Sequence, residues 1–144
     1  MRGASALADL LAAWPASPGS PASASPSAWK SARVLVIWEP VVDTDVGPPS
    51  AAETARLGDR RVRQFWDAGH AVSSALLPTL RASLPPAELA VLDGPDGAPV
   101  VWDFVAVYPP GARWTTPPPA PDFHGYPVVR SIDGLRARLA SPPR

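Results

Sequence analysis

Cysteine is absent from this 144-residue chain. Without cysteine the chain contains no disulfide, no thiolate nucleophile and no cysteine metal site. Histidine is scarce, with only His70 and His124, and a metal site usually takes three or four protein ligands. The sequence therefore predicts no metal ion, no other cofactor and no thiol chemistry within the residues present.

The chain also lacks an excess of charge of either sign. Thirteen basic residues balance thirteen acidic ones, and the densest basic cluster is Arg60, Arg61 and Arg63. A cluster this short does not provide the electrostatic footprint of a nucleic-acid or anionic-membrane surface. No apolar run approaches the roughly 20 residues of a membrane-spanning helix. We therefore expect neither a nucleic-acid partner nor a membrane partner.

The N-terminus has some features of a signal peptide: Arg2, a short apolar stretch and small residues around 21–26. Asp9 interrupts that apolar stretch, which favours a packed helix instead. The spacing i, i+3, i+4, i+7 lines one face of a helix, and it is met by Leu7, Leu10, Leu11 and Trp14. We therefore expect a cytoplasmic protein with a first helix over residues 1–14.

The length is that of one domain, large enough to bury roughly two-thirds of the surface of its unfolded chain. Residues 15–31 begin with a low-complexity Pro/Ser/Ala segment that lacks the bulky side chains needed to offset chain ordering. This pattern predicts an exposed, flexible connector. The α/β remainder, residues 32–144, completes the single domain.

Two apolar runs rich in β-branched residues predict strands. They are RVLVIWEP at 33–40 and VVWDFVAVY at 100–108. Continuous apolar strands are typical of parallel or mixed sheets that helices cover on both faces. We therefore expect strands 33–39 and 100–108 to be buried on both faces and to neighbour one another in the centre of the sheet.

Helix signals separate these strands. Ser50 and Glu53 fit a capping box, and the short helix that follows should end near Gly58. Residues 61–70 indicate a brief strand that ends at Asp67.

Two longer helices complete the pattern. Asp67 can cap a helix over 70–84, in which Pro78 predicts a kink or two shorter pieces. Ser131 can cap a last helix, on which Ile132, Leu135 and Leu139 should face the core. Helices and strands thus alternate along the chain, and the alternation predicts an α/β fold.

Four segments, 36–45, 61–76, 101–114 and 119–123, together resemble a bacterial branch of the thioredoxin-like superfamily. That branch combines a Trp-x-Pro element and a downstream Asp with VRxFWD, WDxxxxY and Gly-x-x-Trp elements. Here these elements are Trp38, Pro40, Asp45, Phe65, Trp66, Asp67, Trp102, Asp103, Tyr108, Gly111 and Trp114. The resemblance covers roughly residues 30–125.

The resemblance implies a thioredoxin-like sheet flanked by helices. Such domains begin with a strand that delivers a Cys-x-x-Cys motif to the start of the first long helix, whose N-terminus lowers the pKa of the leading thiol. In this chain the helix is present, but that strand and its cysteines are not. We therefore expect the fold to lack its N-terminal strand. Pro99 is the implied counterpart of the cis-proline that faces the active site in the superfamily.

Five residues are groove candidates: Trp38, Pro40, Asp67, Pro99 and Asp103. An acid inside a strand, such as Asp103, is expected to be partly buried. It then serves either in acid–base chemistry, with a raised pKa, or in structural hydrogen bonding.

Other polar residues are weaker candidates. His70, at a helix start, is either a general base or a surface or capping residue. Asp43 and Asp45 are interpreted as loop residues, because nothing nearby supplies a third acidic ligand for a cation.

These observations favour a redox-inactive, cysteine-free thioredoxin-like domain that binds a protein or peptide segment. The alternative is a thiol–disulfide oxidoreductase truncated at its N-terminus, with its Cys-x-x-Cys upstream of Met1. A third hypothesis is a remnant of such an enzyme that has no function. The sequence names no partner and no oligomeric state.

Overall fold

The computed structural model describes residues 2–14, 32–86 and 100–141. Its content is mixed α/β, as the alternating sequence pattern predicts. The predicted connector 15–31 and the groove candidate Pro99 lie outside the described residues. The elements in chain order are α1 (Arg2–Ala13), β1 (Val34–Trp38), α2 (Ala51–Thr54) with a 3-10 turn (Ala55–Leu57), β2 (Val62–Trp66), α3 (Ala71–Ser83), β3 (Val105–Val107), β4 (Phe123–Gly125) and α4 (Val128–Ala140).

The described strands form two separate two-stranded sheets. β1 and β2 are parallel, in a register that runs from Val34 opposite Val62 to Trp38 opposite Trp66. β3 and β4 are antiparallel. The prediction that strands 33–39 and 100–108 neighbour one another is therefore wrong.

The second apolar run is only partly a strand. Asp103 adopts φ 49°, in the left-handed region, which interrupts the extended backbone, and only residues 105–107 form β3. The other described non-glycine residue with positive φ is His70, at φ 54°.

The buried core consists of two apolar clusters. The α3 cluster contains four leucines of α3 and its C-terminal cap: Leu76, Leu77, Leu80 and Leu84. Val72, Val101 and Phe104 pack against them. The α1–α4 cluster joins helix α1, strand β3 and helix α4 through Leu10, Val107, Leu135 and Leu139. The inward orientation predicted for Leu135 and Leu139 is thus confirmed.

β1 and β2 contribute to neither cluster in the part of the chain that is described. No residue of β1 is fully buried, and Leu35 is 63% exposed. The prediction that this strand is buried on both faces is therefore wrong. The physical reason is that α3 begins beside β2 but directs its buried leucines onto Val101 and Phe104 instead of onto β1.

The helix ends follow local chemistry. The capping box is confirmed: the Ser50 hydroxyl accepts from the Glu53 amide, and the Glu53 carboxylate accepts from the Ser50 amide at 2.7 Å. Helix α3 is continuous through Pro78, so two separate pieces are not formed. The packing of its leucines on both sides of Pro78 offsets the one backbone hydrogen bond that proline removes.

The last helix begins earlier than predicted, at Val128, with Pro127 as its N-cap residue. Ser131 therefore lies inside the helix, where its hydroxyl donates to the Pro127 carbonyl at 3.0 Å.

Candidate functional site

The carboxyl ends of the parallel strands β1 and β2 meet the start of α3. Glu39 directly follows β1 and Asp67 directly follows β2, and the Asp67 amide donates to the Trp38 carbonyl at 2.8 Å. Ligands of α/β proteins commonly bind at the carboxyl ends of parallel strands. Three groove candidates, Trp38, Pro40 and Asp67, lie at this edge.

His70 is the N-cap residue of α3 but makes no side-chain capping hydrogen bond. The start of the helix is capped instead by the side chain of Asp67, as the sequence predicts. Its carboxylate accepts from the Val72 amide at 2.8 Å and from the Gly69 amide at 3.3 Å. The hydrogen bond from the Val72 amide is the main reason that the pKa of Asp67 is lowered. This carboxylate is therefore committed to the helix start.

Glu39 and Ser73 form a buried hydrogen-bond pair that the sequence analysis missed. The Ser73 side chain donates to Glu39 Oε2 at 2.5 Å, and the Ser73 amide donates to Oε1 at 3.2 Å. Ser73 Oγ in turn accepts from the Val101 amide at 2.9 Å. The Ser73 hydroxyl thus connects three segments of the chain. Because Ser73 is only 1% exposed, its hydroxyl is not available as a nucleophile. The only sequence signal was a carboxylate that closes the apolar run VLVIWE.

His70 lies beside the same carboxylate. Its Nδ1 is 3.4 Å from Glu39 Oε2 without hydrogen-bond geometry, and this buried nitrogen has no hydrogen-bond partner. The other histidine, His124, stacks on Phe104 with ring centroids 6.1 Å apart. Among the residues that the structure describes, no group of three metal-ligating side chains exists.

Trp38, Pro40 and Asp45 complete the polar and loop contacts near this edge. The Trp38 indole donates to Gln64 Oε1 at 3.0 Å, and half-buried Pro40 leads into the next loop. In that loop the Asp45 carboxylate accepts from the Val41 and Val42 amides at 2.9 and 3.1 Å. The loop interpretation of Asp45 is therefore confirmed.

Asp103 occupies a different place, at the N-terminal ends of α1 and α4. Its backbone carbonyl accepts from the Val128 amide at 2.9 Å, and its carboxyl group lies against Gly3, where there is no room for a Cβ. Burial raises the pKa of Asp103, and the Val128 amide opposes that shift. Among the described residues, the Val101 amide, two residues before Asp103, donates to Ser73 Oγ and so connects this region to the β1–β2 edge. Cis peptide bonds precede Pro117 and Pro127 among the described residues.

The two faces of the β1–β2 sheet differ sharply. On one face, the Gln64 amide group donates to the carbonyls of Thr54 and Leu57 at 2.8 and 3.3 Å, so the end of α2 and its 3-10 turn are hydrogen-bonded to it. On the other face, the register places Leu35 beside Arg63 and Ile37 beside Phe65. These four residues, Leu35, Ile37, Arg63 and Phe65, are called the Leu35 face below. Leu35 is 63% exposed and Phe65 51% exposed.

Comparison with protein-family models, with curated proteins and with solved structures gave no match for the chain. Within the described ranges, the helices are too short or too polar to cross a membrane.

Proposed function

We propose that this chain is a cysteine-free, thioredoxin-like domain that binds a protein or peptide segment on the Leu35 face. One observation carries the proposal: the apolar strand VLVIW has no buried residue and leaves Leu35 mostly exposed. Contiguous exposed apolar side chains on a soluble domain mark interaction sites. Phe65 and half-buried Ile37 extend the surface around Leu35.

The surface is also preorganised. Exposed apolar residues occur singly on every protein, as Val42 and Val46 do in the loop after β1. Leu35 and Phe65 are different, because they lie on two strands held in register by backbone hydrogen bonds. Binding there orders little of the chain, which lowers the entropic cost of association.

The proposed role excludes redox catalysis by these residues. Thiol–disulfide exchange needs a thiolate, and the chain has none. The purified protein should therefore reduce insulin disulfides in the presence of dithiothreitol no faster than a buffer blank. Acceleration above the blank contradicts this part of the proposal.

Binding is tested with a fluorescently labelled 14-residue helical peptide that carries leucine and isoleucine on one face and uncharged polar residues on the other. Fluorescence anisotropy compares the native chain with the Leu35→Ser/Phe65→Ser variant. The control is Val42→Ser/Val46→Ser, which also removes two exposed apolar side chains.

The Leu35→Ser/Phe65→Ser variant should bind the peptide at least about tenfold more weakly, because burial of one large apolar side chain contributes roughly 1.5–3 kcal/mol. The control should bind like the native chain. Equal affinity for both variants, or no binding by the native chain, contradicts the proposed function.

A second candidate function is favoured by Asp103. Its half-buried carboxyl lies at the start of α1 beside Gly3, and its pKa is raised by burial. The family resemblance implies a dithiol at the start of this helix in an oxidoreductase. If codons upstream of Met1 encode Cys-x-x-Cys, we propose that Asp103 accepts the proton of the buried second thiol as its sulfur attacks the mixed disulfide between the first cysteine and the substrate. That S–S bond breaks, the substrate thiolate leaves, and the two cysteines form a disulfide.

This candidate is tested on the chain extended by its upstream in-frame codons. It predicts insulin reduction by the extended chain and a slower rate, with an altered pH profile, for Asp103→Asn. An upstream sequence without a cysteine pair, or an extended chain without activity, contradicts it.

A further inference from the structure

The Leu35 face carries positive charge beside its apolar side chains. Arg63 is exposed and lies directly opposite Leu35 in the register. Arg33 is exposed one residue before β1, where the alternation of the strand continues the same face. The ion pairs found among described residues do not include Arg33 or Arg63. The same alternation places Glu39 and Asp67 at the other end of this face, where their carboxylates accept hydrogen bonds from Ser73 and Val72 of α3.

We infer that the partner of this face is an amphipathic protein segment that carries carboxylates beside its apolar residues. The inference rests on the proposed function and adds the chemistry of the partner. Arg33 and Arg63 lie toward the amino ends of the two strands, so the partner's carboxylates lie over that end. The carboxyl end already holds the acidic residues Glu39 and Asp67, which disfavour further carboxylates there.

Charge complementarity argues against a second copy of this chain as the occupant. A second copy packed with its strands in the same direction would bring Arg33 and Arg63 against their equivalents, and like charges in an interface are repulsive. A copy packed in the opposite direction would bring them over Glu39 and Asp67, whose carboxylates already accept hydrogen bonds from Ser73 and Val72. A membrane surface is also disfavoured, because the formal net charge of the chain is +0 and the face offers only two arginines.

The dimensions of the face fit a short helix. Each strand has five residues, which span about 16 Å at roughly 3.3 Å per residue. An α-helix rises 1.5 Å per residue, so about eleven residues, or three turns, cover that length. Helices commonly cover the apolar face of a sheet in this way.

The experiment uses two 14-residue helical peptides with the same leucine and isoleucine face. One carries glutamates beside that face and the other carries lysines at the same positions. Their affinities are measured by fluorescence anisotropy for the native chain, for Arg33→Glu/Arg63→Glu, and for the control Arg130→Glu, which changes an exposed arginine of α4.

The glutamate peptide should bind the native chain about tenfold more tightly than the lysine peptide at low salt, since one exposed charge pair contributes up to about fivefold. Arg33→Glu/Arg63→Glu should reverse the order, and Arg130→Glu should preserve it. Salt should reduce the difference.

Each other result overturns a stated part of the account. If the native chain binds both peptides equally and Leu35→Ser/Phe65→Ser binds neither, the inference about charge is overturned and the proposed binding surface is supported. Binding of neither peptide overturns both. If sedimentation velocity shows a dimer that Leu35→Ser/Phe65→Ser dissociates, the partner is a second copy and not an acidic segment. If the chain binds phosphatidylserine vesicles and shows no preference for the glutamate peptide, the partner is a membrane.

Discussion

The parallel pair β1–β2 and the helix pair α1–α4 are both apolar, but only the helix pair is part of the core. Leu10 of α1 and Leu135 of α4 are 5% and 3% exposed. Leu35 of β1 is 63% exposed although it lies in the more continuous apolar run. An apolar sequence thus shows that a segment can be buried, and the elements packed against it decide whether it is.

The difference between the regions follows from what each element faces. Helix α1 places one leucine stripe against α4 and β3, and all three contribute to one cluster. The β1–β2 sheet is hydrogen-bonded to α2 on one face, through Gln64, while α3 packs its leucines elsewhere. Within the described ranges, neither core cluster includes the Leu35 face, and Leu35 and Phe65 are exposed.

The largest expected effect is the difference in stability between truncating a core leucine and truncating an exposed one. Leu10→Ala should lower the free energy of unfolding by about 2–5 kcal/mol, because it leaves a cavity in the α1–α4 cluster. Leu35→Ala should change it by less than about 0.5 kcal/mol, since exposed side chains contribute little to the core. Urea denaturation of both variants measures the contrast, and equal losses contradict it.

A glycine pair tests how tightly the α4 region packs. A Cβ at Gly125 of β4 would collide with the Ser131 side chain of α4, so Gly125→Ala should destabilise the fold by about 1–3 kcal/mol. Gly47→Ala is the matched control, because no atom surrounds its Cβ position. Thermal unfolding compares the two variants. A stable Gly125→Ala protein shows that α4 and β4 are packed more loosely than described.

The junction of the β1–β2 sheet with α3 depends on a cap. Asp67→Ala should cost about 1 kcal/mol, since it removes the acceptor for the Val72 and Gly69 amides at the start of α3. Asp43→Ala, in the exposed loop after β1, should leave stability unchanged. Urea midpoints at neutral pH make the comparison. Equal midpoints for both variants indicate that α3 starts without help from Asp67.

The smallest effect concerns the contact between the two regions. Arg61 donates to both Asp59 oxygens at 2.9 and 2.7 Å and to the Leu11 carbonyl at 2.7 Å, which ties β2 to the end of α1. Hydrogen bonds from the Arg61 side chain lower the pKa of Asp59 from 3.8 to about 2.

Because the folded pKa of Asp59 is depressed, its stabilisation is present above about pH 4 and lost as the pH falls toward 2. The pair is partly exposed, so the loss should be less than about 1 kcal/mol. Asp59→Asn should flatten this part of the acid-unfolding curve. An unchanged curve contradicts the role of the pair.

Local signals in the sequence predicted the local structure well. The leucine spacing predicted α1, and the Ser50 and Glu53 pair predicted the capping box of α2. Asp67 predicted the cap of α3. Each of these features depends on residues fewer than about eight positions apart. Such features are encoded by periodicity and hydrogen-bonding chemistry alone.

Tertiary features were not predictable in the same way. The apolar runs at 33–40 and 100–108 indicated burial but not a partner, and β1 pairs with β2 instead. The pair of Glu39 and Ser73 joins residues 34 positions apart, which no local pattern encodes. Asp103, which contacts Gly3 and Val128, adopts a left-handed backbone that interrupts the expected strand.

The central claim, that the apolar strand β1 forms an interaction surface, is tested most directly by hydroxyl-radical footprinting. Comparison within one residue type removes differences in intrinsic reactivity. Phe65 should be oxidised faster than half-buried Phe123, and Leu35 faster than Leu135. The glutamate peptide should then protect Phe65 and Leu35 alone. Equal oxidation of Phe65 and Phe123 in the free protein would contradict the account, because it would show that the Leu35 face is already covered.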